Sequence, residues 1–148
     1  MAQSVTAEWL IAELGLERHP EGGWYRQTFK DDESNSGRAF STAIYFLLEG
    51  NDLSRWHRVD AAETWHFYAG APLRLTISAD GQSAGSHVLG TDFSAGQRPQ
   101  VTVPRGNWQT ARSLGDWTLV GCTVAPGFEF TGFELSEPPQ VAWADVGI

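Results

Sequence analysis

The sequence predicts an all-β domain, a sandwich or barrel, preceded by one short helix. Two observations carry this. About ten short runs of strand-forming residues recur at roughly ten-residue spacing, separated by turn formers. Sixteen Gly and seven Pro are spread along the 148 residues, which suits many tight turns. Aromatics reach 12%, with seven Trp and eight Phe. Such wide side chains serve sheet cores, ligand pockets and subunit interfaces alike.

The helix is expected over Thr6–Leu14. Thr6 or Ser4 can cap it, Trp9, Leu10 and Leu14 make an apolar stripe, and Gly15 stops it. His19-Pro20-Glu21-Gly22-Gly23 then reads as a turn needing positive φ at a Gly, with a ligand-contacting loop as the alternative. Trp24–Phe29 is the first strand, Asp31–Arg38 a polar loop, and Ser41–Leu48 a buried strand turned by Glu49-Gly50-Asn51-Asp52. Further strands are expected over Ser54–Val59, Glu63–Tyr68, Leu73–Ala79, Ser86–Gly90, Gln100–Pro104, Asn107–Arg112, Trp117–Ala125 and Glu129–Leu135. No linker, repeat or low-complexity tract interrupts the chain, so residues 1–148 are expected to form one domain.

Ten Lys and Arg stand against eighteen Asp and Glu, a formal net charge of −8. That balance disfavours a phosphate backbone and an anionic membrane surface. Neither a signal-like N-terminus nor a membrane-length apolar run is present, so a cytoplasmic protein without nucleic-acid or membrane partners is expected. Cys122 is alone, which rules out an intrachain disulfide, and it reads as a small core residue.

Side-chain alternation along the strands sorts the titratable groups. His57 and Val59 share one face of their strand, with Trp56 and Arg58 on the other. Glu63, Trp65 and Phe67 go together on the next, opposed by Thr64, His66 and Tyr68. A turn at Asp60-Ala61-Ala62 can therefore bring His57 beside Glu63 on an aromatic-lined inner face. Such a pair is a general acid/base unit, or else a buried tie between strands. Trp65, on the face of Glu63, is the best ring-stacking residue. Trp56 and Trp108 oppose it and suit a subunit interface. Arg26 is a candidate for an anionic substrate group, a solvated or paired Arg being the alternative. His66 is expected to be structural and His87 exposed.

The residues also carry a resemblance. His57-Arg58-Val59, three residues, Glu63, six residues and Gly70 resemble the first cupin motif, His-x-His through Glu to Gly. Pro104-Arg105-Gly106 followed after two residues by Gln109 resembles the second, Pro-x-Gly through to His. More specifically, the chain resembles the cupin family catalogued as DUF985 (Cupin_5). The matching stretches are His19–Tyr25, Ala43–Leu48, Trp56–Arg58, Glu63–Gly70 and Val124–Phe128, in order from about residue 10 to 135. The resemblance implies a jelly-roll, a double-stranded β-helix barrel, that holds a small molecule, and a homodimer is expected.

Metal-binding cupins take their ligands from the two His and Glu of the first motif and the His of the second. Here two of those positions hold Val59 and Gln109. The implication is a site with neither metal nor other cofactor, close to the metal-free epimerase branch that uses a His base and a Tyr acid. On that analogy His57 is the base, Glu63 its partner, and Tyr45 (or Tyr25) the acid, with Trp65, Gln109 and Arg26 as ligand contacts. The expected activity is a metal-independent isomerase or epimerase acting on a small polar or sugar-like substrate. The alternative is a non-catalytic small-ligand-binding module.

Overall fold

The threonine hydroxyl that precedes the helix fixes where the structure begins. In the computed structural model, which describes residues 4–135, Thr6 Oγ1 accepts from the Trp9 N–H at 3.1 Å and the helix α1 runs Ala7–Leu14. Gly15 ends it in the left-handed region at φ +65°, a conformation glycine adopts without a Cβ penalty.

Thirteen strands follow among the described residues: β1 (Glu17–Arg18), β2 (Trp24–Lys30), β3 (Ser34–Asn35), β4 (Arg38–Ala39), β5 (Thr42–Glu49), β6 (Ser54–Val59), β7 (Ala62–Gly70), β8 (Leu73–Ser78), β9 (Gly85–Leu89), β10 (Gln100–Val103), β11 (Trp108–Ser113), β12 (Trp117–Ala125) and β13 (Phe133–Leu135). Three differences from expectation stand out. The polar loop carries its own two-residue pairing, β3 with β4. The two-residue β1 pairs with β2. The stretch expected as one strand over Glu129–Leu135 is a 3₁₀ turn, Phe130–Gly132, before the three-residue β13. The Gly132 N–H donates to the Glu129 carbonyl at 2.9 Å, closing a turn that leaves three residues for the strand.

A six-stranded sheet has the order β1-β2-β5-β12-β7-β10, and a five-stranded sheet the order β13-β6-β11-β8-β9. From β5 onward the chain passes from one sheet to the other at nearly every connection, as a jelly-roll requires. Alternating inward residues of the two sheets make the core: Phe46, Leu48, Trp65, Leu73, Leu75, Val103, Val120 and Cys122. On the outer face of the six-stranded sheet, Leu47 and Leu119 meet Ala7 and Leu10 of α1. Each fully buried Leu or Phe contributes about 1.5–3 kcal/mol relative to an exposed one.

One expectation is corrected by this topology. β6 and β7 are not a hairpin, since β6 lies in the five-stranded sheet and β7 in the six-stranded one. Ala61 is buried at this corner, so His57 and Glu63 come from opposite walls. A second correction concerns Trp56. It is fully buried within its own chain, packed with Ala84 and Trp108, and has no surface to offer a partner subunit. Trp108 lies under the Arg58 guanidinium, 4.6 Å from the ring centroid.

Candidate functional site

Between the sheets, towards the end closed by residues 128–133, lies a cavity of about 150 Å³. Its lining includes four titratable side chains, all buried: His19, Glu21, His57 and Glu63. Gln27 and Thr42 add polar atoms, and the rest is apolar or weakly polar: Tyr25, Ile44, Val59, Cys122, Val124, Phe128, Phe130 and Phe133. Phe130, half exposed, marks the mouth. It packs with Phe128 at 5.0 Å and Phe133 at 6.0 Å between centroids, at steep angles.

His57 comes from β6 and faces inward with Val59, as alternation requires, and a register shift beside it changes which residue of β6 joins them. Gln109 pairs with His57 while Ala111 pairs with Ser54, so one extra residue of β6 sits between them, a β-bulge. The bulge puts Ser54 and His57 on the same inner side, and the Ser54 hydroxyl donates to Glu21 Oε2. Strict alternation from His57 would put Arg55 on that side. Instead, Arg55 Nη2 donates to the Pro20 carbonyl at 2.6 Å and its N–H to the Glu21 carbonyl at 2.7 Å.

Glu21 is the residue that sequence reasoning missed. The turn read at 19–23 is present, with φ +105° at Gly22 and +82° at Gly23. A Cβ on Gly22 would collide with the Leu53 carbonyl, and one on Gly23 would lie 2.8 Å from the Phe46 ring. This close approach tucks the turn against β5 and carries His19 and Glu21 into the barrel. The available signal was the pair of acid/base side chains immediately before a double glycine.

Hydrogen bonding fixes both imidazole tautomers. His57 Nδ1 is 2.7 Å from the Arg55 carbonyl, which can only accept, so Nδ1 holds the hydrogen and Nε2 presents a lone pair. Nε2 lies 3.4 Å from Glu21 Oε2. His19 Nδ1 accepts the Glu21 N–H at 3.1 Å and lies 3.3 Å from Glu21 Oε1. The His19 lone pair is taken by the Glu21 N–H, whereas Glu21 Oε2 faces the free lone pair of His57, an arrangement that calls for a proton on the carboxyl. Burial acts in the same direction, pushing Glu21 up to about 8 against the opposing pulls of Ser54 and Arg55. Desolvation lowers His19 to about 4 with help from His57. It also lowers His57, while Glu63 and the Arg55 carbonyl pull the other way. At neutral pH the trio is uncharged, with an acid beside a base.

Glu63 enters from β7. Gln109 Nε2 donates to its Oε1 at 2.9 Å, while Gln109 Oε1 accepts from Trp65 Nε1 at 2.8 Å. Burial raises Glu63 to about 7, opposed by His57 and Gln109 and reinforced by Glu21. Gln109 and Trp65 thus orient a carboxyl and do not line the cavity. Trp65 packs in the core, edge-on to Phe46 at 5.7 Å. Among the described residues, the carboxyl within ion-pair distance of His57 is Glu21, not Glu63.

Tyr45 and Arg26 pair in register on the outer face of the six-stranded sheet. Tyr45 meets the Tyr68 ring at 6.4 Å, and Arg26 Nη1 donates to the Leu14 carbonyl at the end of α1. The structure therefore places both away from the cavity. Tyr25 and Gln27, one position over, are the lining residues of β2. His66 bonds Thr123 Oγ1 at 2.9 Å and His87 is exposed. Cys122 lines the cavity besides filling the core, and burial pushes its thiol up, so it stays protonated.

The cupin metal positions do not fit a resident ion here. Val59 has no lone pair, the Gln109 oxygen is committed to Trp65, and its amide hydrogens face Glu63. Among the described residues no group of three His, Cys, Asp or Glu is arranged to hold a metal.

Comparison with known proteins agrees with the topology. The family model Cupin_5, described as cupin superfamily (DUF985), matches residues 8–136. A crystal structure of a Shewanella oneidensis protein superposes at a TM-score of 0.87 with 38% identity, covering 90% of this chain and 85% of that one. A hypothetical protein from Leishmania major follows at 0.83 and 30%, covering 89% and 88%. Oxalate decarboxylase from Bacillus subtilis superposes at 0.62 with 14% identity, covering 80% of this chain and 29% of that one. At that identity the likeness is one of fold. No curated protein matches the chain.

Proposed function

This chain belongs to the Cupin_5 (DUF985) family of the cupin superfamily, and from that premise we propose that its barrel is a metal-independent acid/base site of isomerase or epimerase type for a small polar molecule. The observation that carries the reading is the buried Glu21 carboxyl set between two imidazoles inside a cavity, one of which, His57, turns a lone pair towards it. A proton-transfer enzyme needs a base with a free lone pair and an acid that keeps its proton at neutral pH.

His57 Nε2 is the base and Glu21 the acid. As His57 takes a proton from a substrate carbon, Glu21 delivers its own to a neighbouring oxygen, and the substrate is left as an enol. In the return step His57 gives its proton to the adjacent carbon while Glu21 takes one from the hydroxyl on the first carbon, so both residues are restored and the isomer is released. Glu63, held by Gln109, stabilises the imidazolium formed midway. Oriented groups acting in a dry site account for acceleration without a metal.

The test begins with a ligand found by thermal shift across a metabolite library. Its fate in deuterated water is then followed by NMR. Deuterium should enter one carbon position, and His57→Asn or Glu21→Gln should cut the exchange by about a hundredfold or more, with binding retained. Glu63→Gln should cut it less. A ligand that binds tightly and never exchanges would replace this reading with a non-catalytic receptacle. Elemental analysis accompanies the assay: a stoichiometric metal whose chelation abolishes exchange would refute metal independence. A homodimer of cytoplasmic address completes the proposal. A monomer by light scattering at micromolar concentration would remove the former, and secretion of the protein by its native host the latter.

A further inference from the structure

Resting on the reading of this cavity as the ligand site, polarity and size narrow what enters it. We propose that the entering group is uncharged and polar along one edge only: a ring-sized phenol, alcohol or carbonyl compound, not a carboxylate, a phosphate or a polyol.

Size comes first. A cavity of about 150 Å³ is of the order that admits one six-membered ring. A larger ligand would have to leave its remainder at the mouth, beside exposed Gln27 and Phe130.

Charge comes second. No Lys or Arg lines the cavity, whereas two carboxyls do. The Arg55 guanidinium acts on Glu21 but is spent on the Pro20 carbonyl and lines the outer cleft instead. An anion would be desolvated beside Glu63 without a counter-ion, and the net charge of −8 opposes its approach. A cation fares little better. Glu21 faces His19 and His57 in a way that retains its proton, and Glu63 already receives the Gln109 amide.

The distribution of hydrogen-bonding groups decides between one polar edge and many. The acid/base residues are clustered, with Glu21 touching both His19 and His57. Elsewhere the wall is mostly Ile44, Val59, Cys122, Val124, Phe128 and Phe133, with the Tyr25 hydroxyl engaged by Glu17 and Gln27 out at the exposed mouth. Thr42, the buried hydroxyl of the lining, accepts the Phe128 N–H at 2.9 Å and so keeps only its own O–H to offer on that side. Hydroxyls on every side of a ring would meet these walls unpaired, each at a loss of about tenfold in affinity. The sugar-like substrate suggested by the sequence is therefore narrowed to a less hydroxylated one.

Four probes of similar size test this by calorimetry at neutral pH: phenol, benzoate, benzylamine and myo-inositol. Phenol should bind at least about tenfold more tightly than each of the others, and should show NOEs to the ring protons of Phe128 and Phe133. Equal or tighter binding of any of the other three overturns the proposal. So does a failure of phenol to bind at millimolar concentration, or NOEs from another surface. The series reads binding alone, whereas deuterium exchange reads chemistry, so either conclusion can fall without the other.

Discussion

A buried carboxyl that faces the His57 lone pair holds a proton which the same residue would release in an unfolded chain. Glu21, raised from 4.5 to about 8, and Glu63, raised to about 7, give the native state extra protons above pH 4.5. His19, lowered from 6.5 to about 4, and His57, lowered too, give it fewer below pH 6.5. The two effects oppose each other between pH 4.5 and 6.5. Above 6.5 only the carboxyls act: the folded protein binds more protons than the unfolded, so stability falls with rising pH until about 8. Urea unfolding across that interval should show a loss of about 2 kcal/mol. Glu21→Gln should flatten most of it. An unchanged slope in the variant would remove the proton from Glu21. Alternation along β6 and β7 was enough to give His57 and Glu63 inward positions. It was not enough to find Glu21, because a residue in a turn has no strand parity, and its role comes from where the turn lands.

Strand boundaries were the most legible part of the chain, since Gly and Pro clusters punctuate it. Ser54–Val59 and Trp117–Ala125 match the expected limits. What alternation does not reveal is which neighbour a strand takes. Short turns suggest hairpins, yet the Asp60–Ala61 corner crosses between sheets, and the bulge in β6 exchanges Arg55 for Ser54 on the inner side. Tyr45 and Arg26 show the opposite situation. They alternate with Ile44 and Gln27, so strand parity could have placed them outside once those neighbours were taken as inward. The β1–β2 turn is the element on which the site most depends. Gly23→Ala would impose a side chain at φ +82° and against Phe46 and Leu48. The expected cost is about 2 kcal/mol or more, seen as a lowered thermal midpoint together with loss of ligand binding. Glycine at that position being replaceable without either effect would mean that the turn does not position His19 and Glu21.

At the scale of the whole molecule, β12 lies between β5 and β7 and pairs with both along nearly its full length. It is also among the last strands in the chain. While the protein is being synthesised, β5 and β7 therefore wait, each with a long unpaired edge of eight or nine residues, for a partner that begins about fifty residues after β7 and roughly seventy after β5. Exposed edges of that length recruit other chains. A polypeptide ended at Asp116 should consequently be found in the aggregated fraction and lack the near-UV dichroism of fixed Trp side chains. Addition of a peptide covering residues 117–135 during refolding should restore part of both properties. A soluble, cooperatively unfolding fragment would show that the first strands can close a sheet without β12. The acid/base residues, all encoded before residue 64, are thus committed to a site whose roof, Phe128 to Phe133, arrives only after the last central strand has been inserted. Newly made chains pass through an interval in which the reactive groups exist and the chamber does not.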